Sequence, residues 1–210
     1  MHPERVNRQY DLVIDNLNNI PRGSKVLEIG SGMNYIKDFF RELDIKYDTM
    51  DIGDENKYTY DYNLDKIPIQ IKSKTYDVII CMMTLEHIMY PERVIKEMLR
   101  MAKKDALFFI CLPNDYNFMQ RIYYLLGKKS IDDETFQVVE KHLHIHKPRI
   151  KDINKLFSDN FNILEKRYFW QSKSSMTSNL AYCCDCFINI LAKIWPSMFA
   201  RGMVIMGEKK

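Results

Sequence analysis

Lys25–Gly32 reads KVLEIGSG, and its reading decides the architecture. Val26, Leu27 and Ile29 make an apolar run of strand length, Gly30 and Gly32 demand a turn, and Tyr35–Leu43 continues at helical spacing. Strand, glycine turn and helix in that order open a parallel α/β unit. Glycine is scarce elsewhere: 7 of 210 residues, about half the usual ~7%. Gly23, Gly30 and Gly32 nonetheless fall close together. The backbone demands of the chain are concentrated there.

The alternation extends in both directions. Upstream, Val6, Tyr10, Val13, Leu17 and Ile20 recur every three or four residues, which predicts an amphipathic helix over Val6–Ile20, closed by Pro21 and Gly23. Downstream, Lys46–Asp51 predicts a strand, Tyr58–Tyr62 a weaker one, and Tyr76–Met82 a strongly apolar one. Pro91–Lys103 predicts a helix with proline in its first turn, and Ala106–Leu112 another buried strand. Past Pro113 the spacing predicts helices at Phe118–Leu126, Pro148–Phe157 and Leu180–Trp195. Polar stretches fall at Gly127–Asp133 and Gln171–Ser178, and strands at Phe161–Trp170 and Met203–Met206. Short apolar strands alternating with helices imply a sheet covered on both faces.

At 46% hydrophobic and 28% charged, 210 residues suit one domain and exclude disorder and collagen. A formal net charge of +3 is too weak to argue for nucleic acid. It covers a skew: residues 1–105 carry 16 Lys/Arg against 18 Asp/Glu, and residues 106–210 carry 15 against 10. The five cysteines, three of them at Cys183, Cys184 and Cys186, do not form a disulfide framework. The first twelve residues hold no apolar run of signal-peptide length. Both features point to a reducing compartment and a cytoplasmic protein.

Glycines after a parallel strand let the backbone approach a ligand, and the helix that follows offers unpaired N–H groups. A dinucleotide fingerprint wants a further glycine three residues after Gly32, where Tyr35 stands. Glu28 near the strand end would repel a pyrophosphate and attract a cation. Asp51 ends the next strand, 23 residues after Glu28, where an acidic residue reaches ribose hydroxyls in nucleotide-binding βαβ units. A ligand with a ribose and a cationic amino-acid moiety but no phosphate is S-adenosylmethionine.

VLEIGSG (Val26–Gly32), YDTMDIG (Tyr47–Gly53), YDVIICMMTLEHI (Tyr76–Ile88) and PERVIKEMLRMAKKDALFFICLPN (Pro91–Asn114) together resemble the class I S-adenosylmethionine-dependent methyltransferases, in particular the type 11 group. The motifs cover residues 10–112. The resemblance implies a doubly wound, Rossmann-like, seven-stranded mixed sheet in a single domain, with an antiparallel last strand. Residues 1–112 would form the cofactor half and 113–210 the substrate-shaping half, with insertions at 114–146 and 171–196. Cofactor contacts fall on Glu28, Gly30, Ser31, Gly32, Asp51, Ile52, Cys81 and Met82. An adenine contact is implied at Asn63 with the Leu64 N–H, with Asp61 second. Relatives often keep a third glycine where Asn34 stands, and a Lys-Pro-Gly-Gly turn where this chain has Lys103-Lys104-Asp105-Ala106.

The methyl should emerge past the fourth strand, where His87 stands. Histidine titrates near neutrality and suits proton removal or a substrate contact; a structural hydrogen bond is the other reading. Base N-methyltransferases carry Asp/Asn-Pro-Pro-Tyr/Phe here, whereas this chain has Cys81-Met82-Met83-Thr84. Nucleic acid is accordingly disfavoured as acceptor, and oxygen on a small molecule, glycan or lipid-linked intermediate is preferred. An RNA methyltransferase and a non-catalytic partner subunit are the alternatives. His142, His144 and His146 alternate, so an extended strand would turn all three rings to one side; no metal is assigned to them. The 180–195 helix, short of a bilayer span, reads as core, a substrate cover, a dimer contact or a peripheral membrane contact, and its thiols as buried.

Overall fold

The computed structural model describes residues 8–41, 43–53, 57–128, 144–170 and 179–210, with 179–183 by backbone alone. Its strands are β1 (Lys25–Ile29), β2 (Lys46–Asp51), β3 (Tyr60–Asp61), β4 (Tyr76–Met82), β5 (Ala102–Pro113), β6 (Phe161–Phe169) and β7 (Gly202–Lys209). They form one sheet in the order β3-β2-β1-β4-β5-β7-β6. All neighbours through β5 pair in parallel, and β7 runs antiparallel between β5 and β6. This is the doubly wound, single-domain mixed sheet that the motif order implies.

Side-chain alternation along each strand divides the core into two layers. Leu27 and Ile29 of β1, Ile79 and Cys81 of β4, and Phe108 and Ile110 of β5 face one side. There they meet helix α3, which spans Pro91–Met101 in chain order after α1 (Asp11–Asp15) and α2 (Lys37–Arg41). Its inner residues Val94, Ile95, Met98 and Met101 are fully buried, worth about 6–12 kcal/mol at roughly 1.5–3 per side chain. Val26, Val78, Ile80, Met82 and Phe109 face the other side, under Tyr10, Leu12, Val13, Ile36 and Phe40. Glu28 shares that second face.

Several element bounds differ from expectation, each for a local reason. The predicted Val6–Ile20 helix is broken into a 3-10 turn at Arg8–Tyr10, α1, and a second 3-10 turn at Leu17–Asn19. Asn16 interrupts it: its side chain donates to the Leu12 carbonyl, competing with helical bonding. Helix α2 starts at Lys37 rather than Tyr35, after turns over 32–36 in which Asn34 sits at φ 54°, in the left-handed region. Strand β5 begins at Ala102, directly after α3, and β7 extends over eight residues because it is paired on both edges.

The remaining helices are α4 (Phe118–Leu125), α5 (Ile150–Asn160), α6 (Asn179–Ile194) and α7 (Pro196–Phe199). Helix α6 departs from the core reading. Asp185, Asn189 and Ala192 turn inward, while Phe187, Ile190 and Ile194 are 61%, 55% and 75% exposed. Polar anchors hold the inner face: Arg8 donates to Asp185 (2.6 Å), and the Trp170 N–H donates to the Asn189 side chain (2.9 Å). Cys184 is exposed rather than buried. No helix among the described residues is long and apolar enough to cross a membrane.

Candidate active site

The connections that follow β1 and β4 cover opposite faces of the sheet, α2 on one and α3 on the other, so a crevice opens past the carboxyl ends of these two neighbouring strands. A cleft of about 560 Å³ fills it, within the ~300–1,000 Å³ typical of small-molecule sites. Gly30, Gly32, Asp51, Ile52, Asn63, Leu64 and His87, all singled out from the sequence, line this cleft. Tyr58, Tyr62, Asp65, Met83, Thr84, Met89 and Ile145 add to the wall. Among the described lining residues there is no lysine or arginine, and the carboxylates are Asp51 and Asp65. Such a donor set suits a cationic ligand and is ill matched to a pyrophosphate.

The two glycines of the turn are needed for different reasons. Gly30 adopts φ +70°, and a Cβ there would lie 2.0 Å from Thr84 Oγ1 and 2.7 Å from Thr84 Cβ. Its smallness serves packing against the end of β4, where the Thr84 hydroxyl donates to the Met82 carbonyl (3.0 Å). Gly32, at φ +48°, has nothing within 4 Å of the corresponding point; that space belongs to the cleft. Asn34 takes φ 54°, tolerated because Asn is the side chain best suited to left-handed backbone. Met83, also left-handed at φ 49°, marks backbone strain at the cleft wall.

Asp51 ties the turn together. Its carboxylate accepts from the Gly32 N–H (2.6 Å) and the Ile52 N–H (2.7 Å), leaving lone pairs directed to the cleft. Tyr58 donates to the Gly32 carbonyl (3.0 Å). The Asn63 side-chain oxygen is occupied by the Asp65 N–H, and that of Asp61, outside the lining, by the Gly53 N–H (both 2.9 Å).

Ser31, Cys81, Met82 and Glu28 do not line the cleft. They are buried beneath it. Glu28 accepts hydrogen bonds from the hydroxyls of Tyr10 and Tyr47 on the sheet's second face. Burial pushes its carboxyl from 4.5 up to about 7; the two phenols oppose that shift and the charge of Asp51 adds to it. Burial likewise pushes the Cys81 thiol above its ordinary range.

Past β4, the 3-10 turn Leu85–His87 places His87 at the cleft and Glu86 in the interior. The Glu86 carbonyl accepts from the Ile145 and His146 N–H groups (2.9 and 3.0 Å), which pins the 144–146 segment to this turn. His144 Nδ1 faces Asp115 at 3.1 Å, and its ring lies edge-on to that of His87 at 4.9 Å. His146 points elsewhere, its Nε2 3.4 Å from the Met89 carbonyl. The segment bends at Ile145, so the expected common face of alternating histidines is not formed by these two; His142 lies outside the described residues. Burial raises the Glu86 carboxyl to about 8; its own N–H and His144 lessen the shift.

Sequence reading missed Thr84, Tyr58 and the Glu86–His144–Asp115 grouping. Thr84 carries no local signal, since only the packed turn makes it the neighbour of Gly30. Glu86 adjoins His87 in the chain, but the 29-residue separation of Asp115 from His144 hides their meeting.

These features define an α/β fold with a cleft at the switch point whose described wall carries carboxylates and no lysine or arginine. A methyltransferase-domain family model matches residues 4–165, and the chain belongs to that family: it is an S-adenosylmethionine-dependent methyltransferase. Solved structures share the fold. An S-adenosylmethionine-dependent methyltransferase of Mesorhizobium loti is 9% identical, over 96% of this chain and 98% of that one, with a TM-score of 0.60. One from Thermotoga maritima is 17% identical over 96% and 89%, at 0.56. A chain in the complex between the Haloferax volcanii Trm112 methyltransferase activator and its methyltransferase is 13% identical over 96% and 90%, at 0.59.

Proposed function

We propose that this enzyme methylates an oxygen of a small molecule, glycan or lipid-linked intermediate. The cofactor supplies a methyl group already activated on a sulfonium, so the protein must align the acceptor and, for a hydroxyl, take its proton. Asp51 accepts from the ribose diol with the lone pairs left over from Gly32 and Ile52. The Gly30–Gly32 turn receives the methionine end, and Ile52, Asn63 and the Leu64 N–H meet the adenine. Ser31, Cys81 and Met82 form the floor. Glu28 sits below the turn, hydrogen-bonded to Tyr10 and Tyr47.

The observation that carries the acceptor reading is a second cavity of about 330 Å³ that shares the turn after β4. Glu86, Glu92, Asp152 and Asp159 line it against one lysine, Lys155. With Asp152 paired to Arg149 (2.8 Å) and the pKa of the Glu86 carboxyl raised by burial, Glu92 and Asp159 remain to oppose a phosphate backbone, which supports a small acceptor over RNA. His87, on the wall of the cofactor cleft and next to Glu86 in the chain, accepts the acceptor's proton. Its free thiols suit a reducing, cytoplasmic setting. The exposed apolar face of α6 supports contact with a second copy or with a membrane bearing a lipid-linked acceptor.

Transfer from methyl-labelled cofactor into fractionated cell extract tests the reading. Label should enter the small-molecule, glycan or lipid fraction as an ether or ester, and His87→Ala should lower it by about 10²-fold or more. Label in RNA, or on nitrogen, contradicts it.

A further inference from the structure

Three donor atoms from two distant segments converge on one interior point at the edge of the cleft. His87 Nε2 lies 3.9 Å and His144 Nε2 4.0 Å from Glu86 Oε1, and no pair among the three groups is farther apart than 4.8 Å. The Glu86 side chain is fully buried, yet neither of its oxygens meets a hydrogen-bond donor at bonding geometry among the described residues. A carboxyl buried that way is costly in its charged form unless a proton or a bound cation compensates it. We propose that Glu86, His87 and His144 hold a divalent metal ion, with zinc the best match to two imidazoles and one carboxylate.

The tautomers fit, and the separations, up to 4.8 Å, would shorten on metal binding. Zinc takes nitrogen and oxygen donors at about 2.0–2.2 Å in a tetrahedron, which places neighbouring donors about 3.3–3.5 Å apart. The two shorter separations need to close by only about half an ångström from 3.9 and 4.0 Å. Asp115 faces His144 Nδ1 with both oxygens, at 3.1 and 3.3 Å. A carboxylate only accepts, so it fixes the proton on Nδ1 and leaves the Nε2 lone pair directed at Glu86. Carboxylate–histidine–metal chains are held in this way. The backbone bonds from Ile145 and His146 to the Glu86 carbonyl pre-set His144 without any ion present. Three protein ligands leave one tetrahedral position, the arrangement of catalytic rather than structural zinc.

The metal's use deepens the oxygen-acceptor reading and rests on it. An acceptor hydroxyl in the fourth position would lose its proton to solvent water more readily at neutral pH, and His87 would then hold the ion instead of taking the proton itself.

The test is calorimetric titration of zinc into the full chain after chelator dialysis, with S-adenosylmethionine titrated into the same samples. Wild type should bind one equivalent, with affinity at least 100-fold weaker in Glu86→Gln and in His144→Ala. Asp115→Asn, which keeps shape, should lose about 10- to 100-fold. Cofactor affinity should be retained in all three, which reports that they are folded. No saturable zinc binding by the wild type overturns the site, as does unchanged affinity in Glu86→Gln and His144→Ala. Zinc binding without cofactor binding would keep the metal site and defeat the methyltransferase assignment; cofactor binding without zinc would defeat the site alone.

Discussion

Gly30→Ala separates the packing role of the turn from its cofactor role. The added methyl would lie 2.0 Å from Thr84 Oγ1, 2.5 Å from Cγ2 and 2.7 Å from Cβ. Rotation of the threonine moves the first two atoms but not Cβ, so the contact persists in every rotamer. Overpacking of this kind costs about 1–3 kcal/mol, and the left-handed φ of +70° adds about 1–2 for a residue with a side chain. Lower entropy of the unfolded chain returns about 0.4–1. The net loss is about 1–5 kcal/mol, or roughly 2–20 °C in Tm for a chain of this size. Urea unfolding of Gly30→Ala, Thr84→Gly and the double variant measures it. The Thr84→Gly change removes all three contacting atoms, so the double variant should be about 1–3 kcal/mol more stable than the sum of the singles. Strict additivity, or a Gly30→Ala loss under about 0.5 kcal/mol, refutes the packing reason for this glycine.

Gly32→Ala should behave oppositely: a stability loss of only about 1–2 kcal/mol from φ, with at least a tenfold loss of cofactor affinity by calorimetry, because its methyl enters the cleft. Equal affinity for the two proteins refutes that placement. Glu28→Gln probes the buried carboxyl. Its folded value is raised from 4.5 to about 7, so the folded state holds the proton more tightly than the unfolded chain does. Its contribution is full below pH 4.5 and disappears as pH rises through about 7, a change of roughly 3 kcal/mol. Glutamine does not titrate and can still satisfy both tyrosines, accepting from one and donating to the other. The stability of Glu28→Gln relative to wild type should therefore climb by that amount between pH 4.5 and pH 8, and a flat difference contradicts the raised value.

Apolar strands were the most legible part of the chain, because a strand buried on both faces reads as a continuous run, as in Tyr76–Met82 and Ala106–Leu112. Helix ends were less so: Asn16 and Asn34 act through side-chain competition and left-handed backbone, which hydrophobic spacing does not register. Helix α6 was read from its apolar content alone. Its orientation depends on Arg8 reaching Asp185 across most of the chain, a contact that spacing within the helix does not register. At the site, Gly30, Gly32, Asp51, Asn63, Leu64 and His87 were legible because each lies within a local motif next to a strand end. Glu28 was legible as important but not in direction, since the partners Tyr10 and Tyr47 that draw it to the opposite face are set by packing. The Glu86–His144–Asp115 grouping had no local signature at all, being assembled by the segment that hydrogen-bonds back onto the turn after β4.

The most direct measurement is calorimetric titration of S-adenosylmethionine into the wild type and Asp51→Ala. One equivalent should bind the wild type, and Asp51→Ala should bind at least tenfold more weakly while remaining folded by circular dichroism. Absence of binding to the wild type, or undiminished binding to Asp51→Ala, would contradict a cofactor held at the end of β1 and β2.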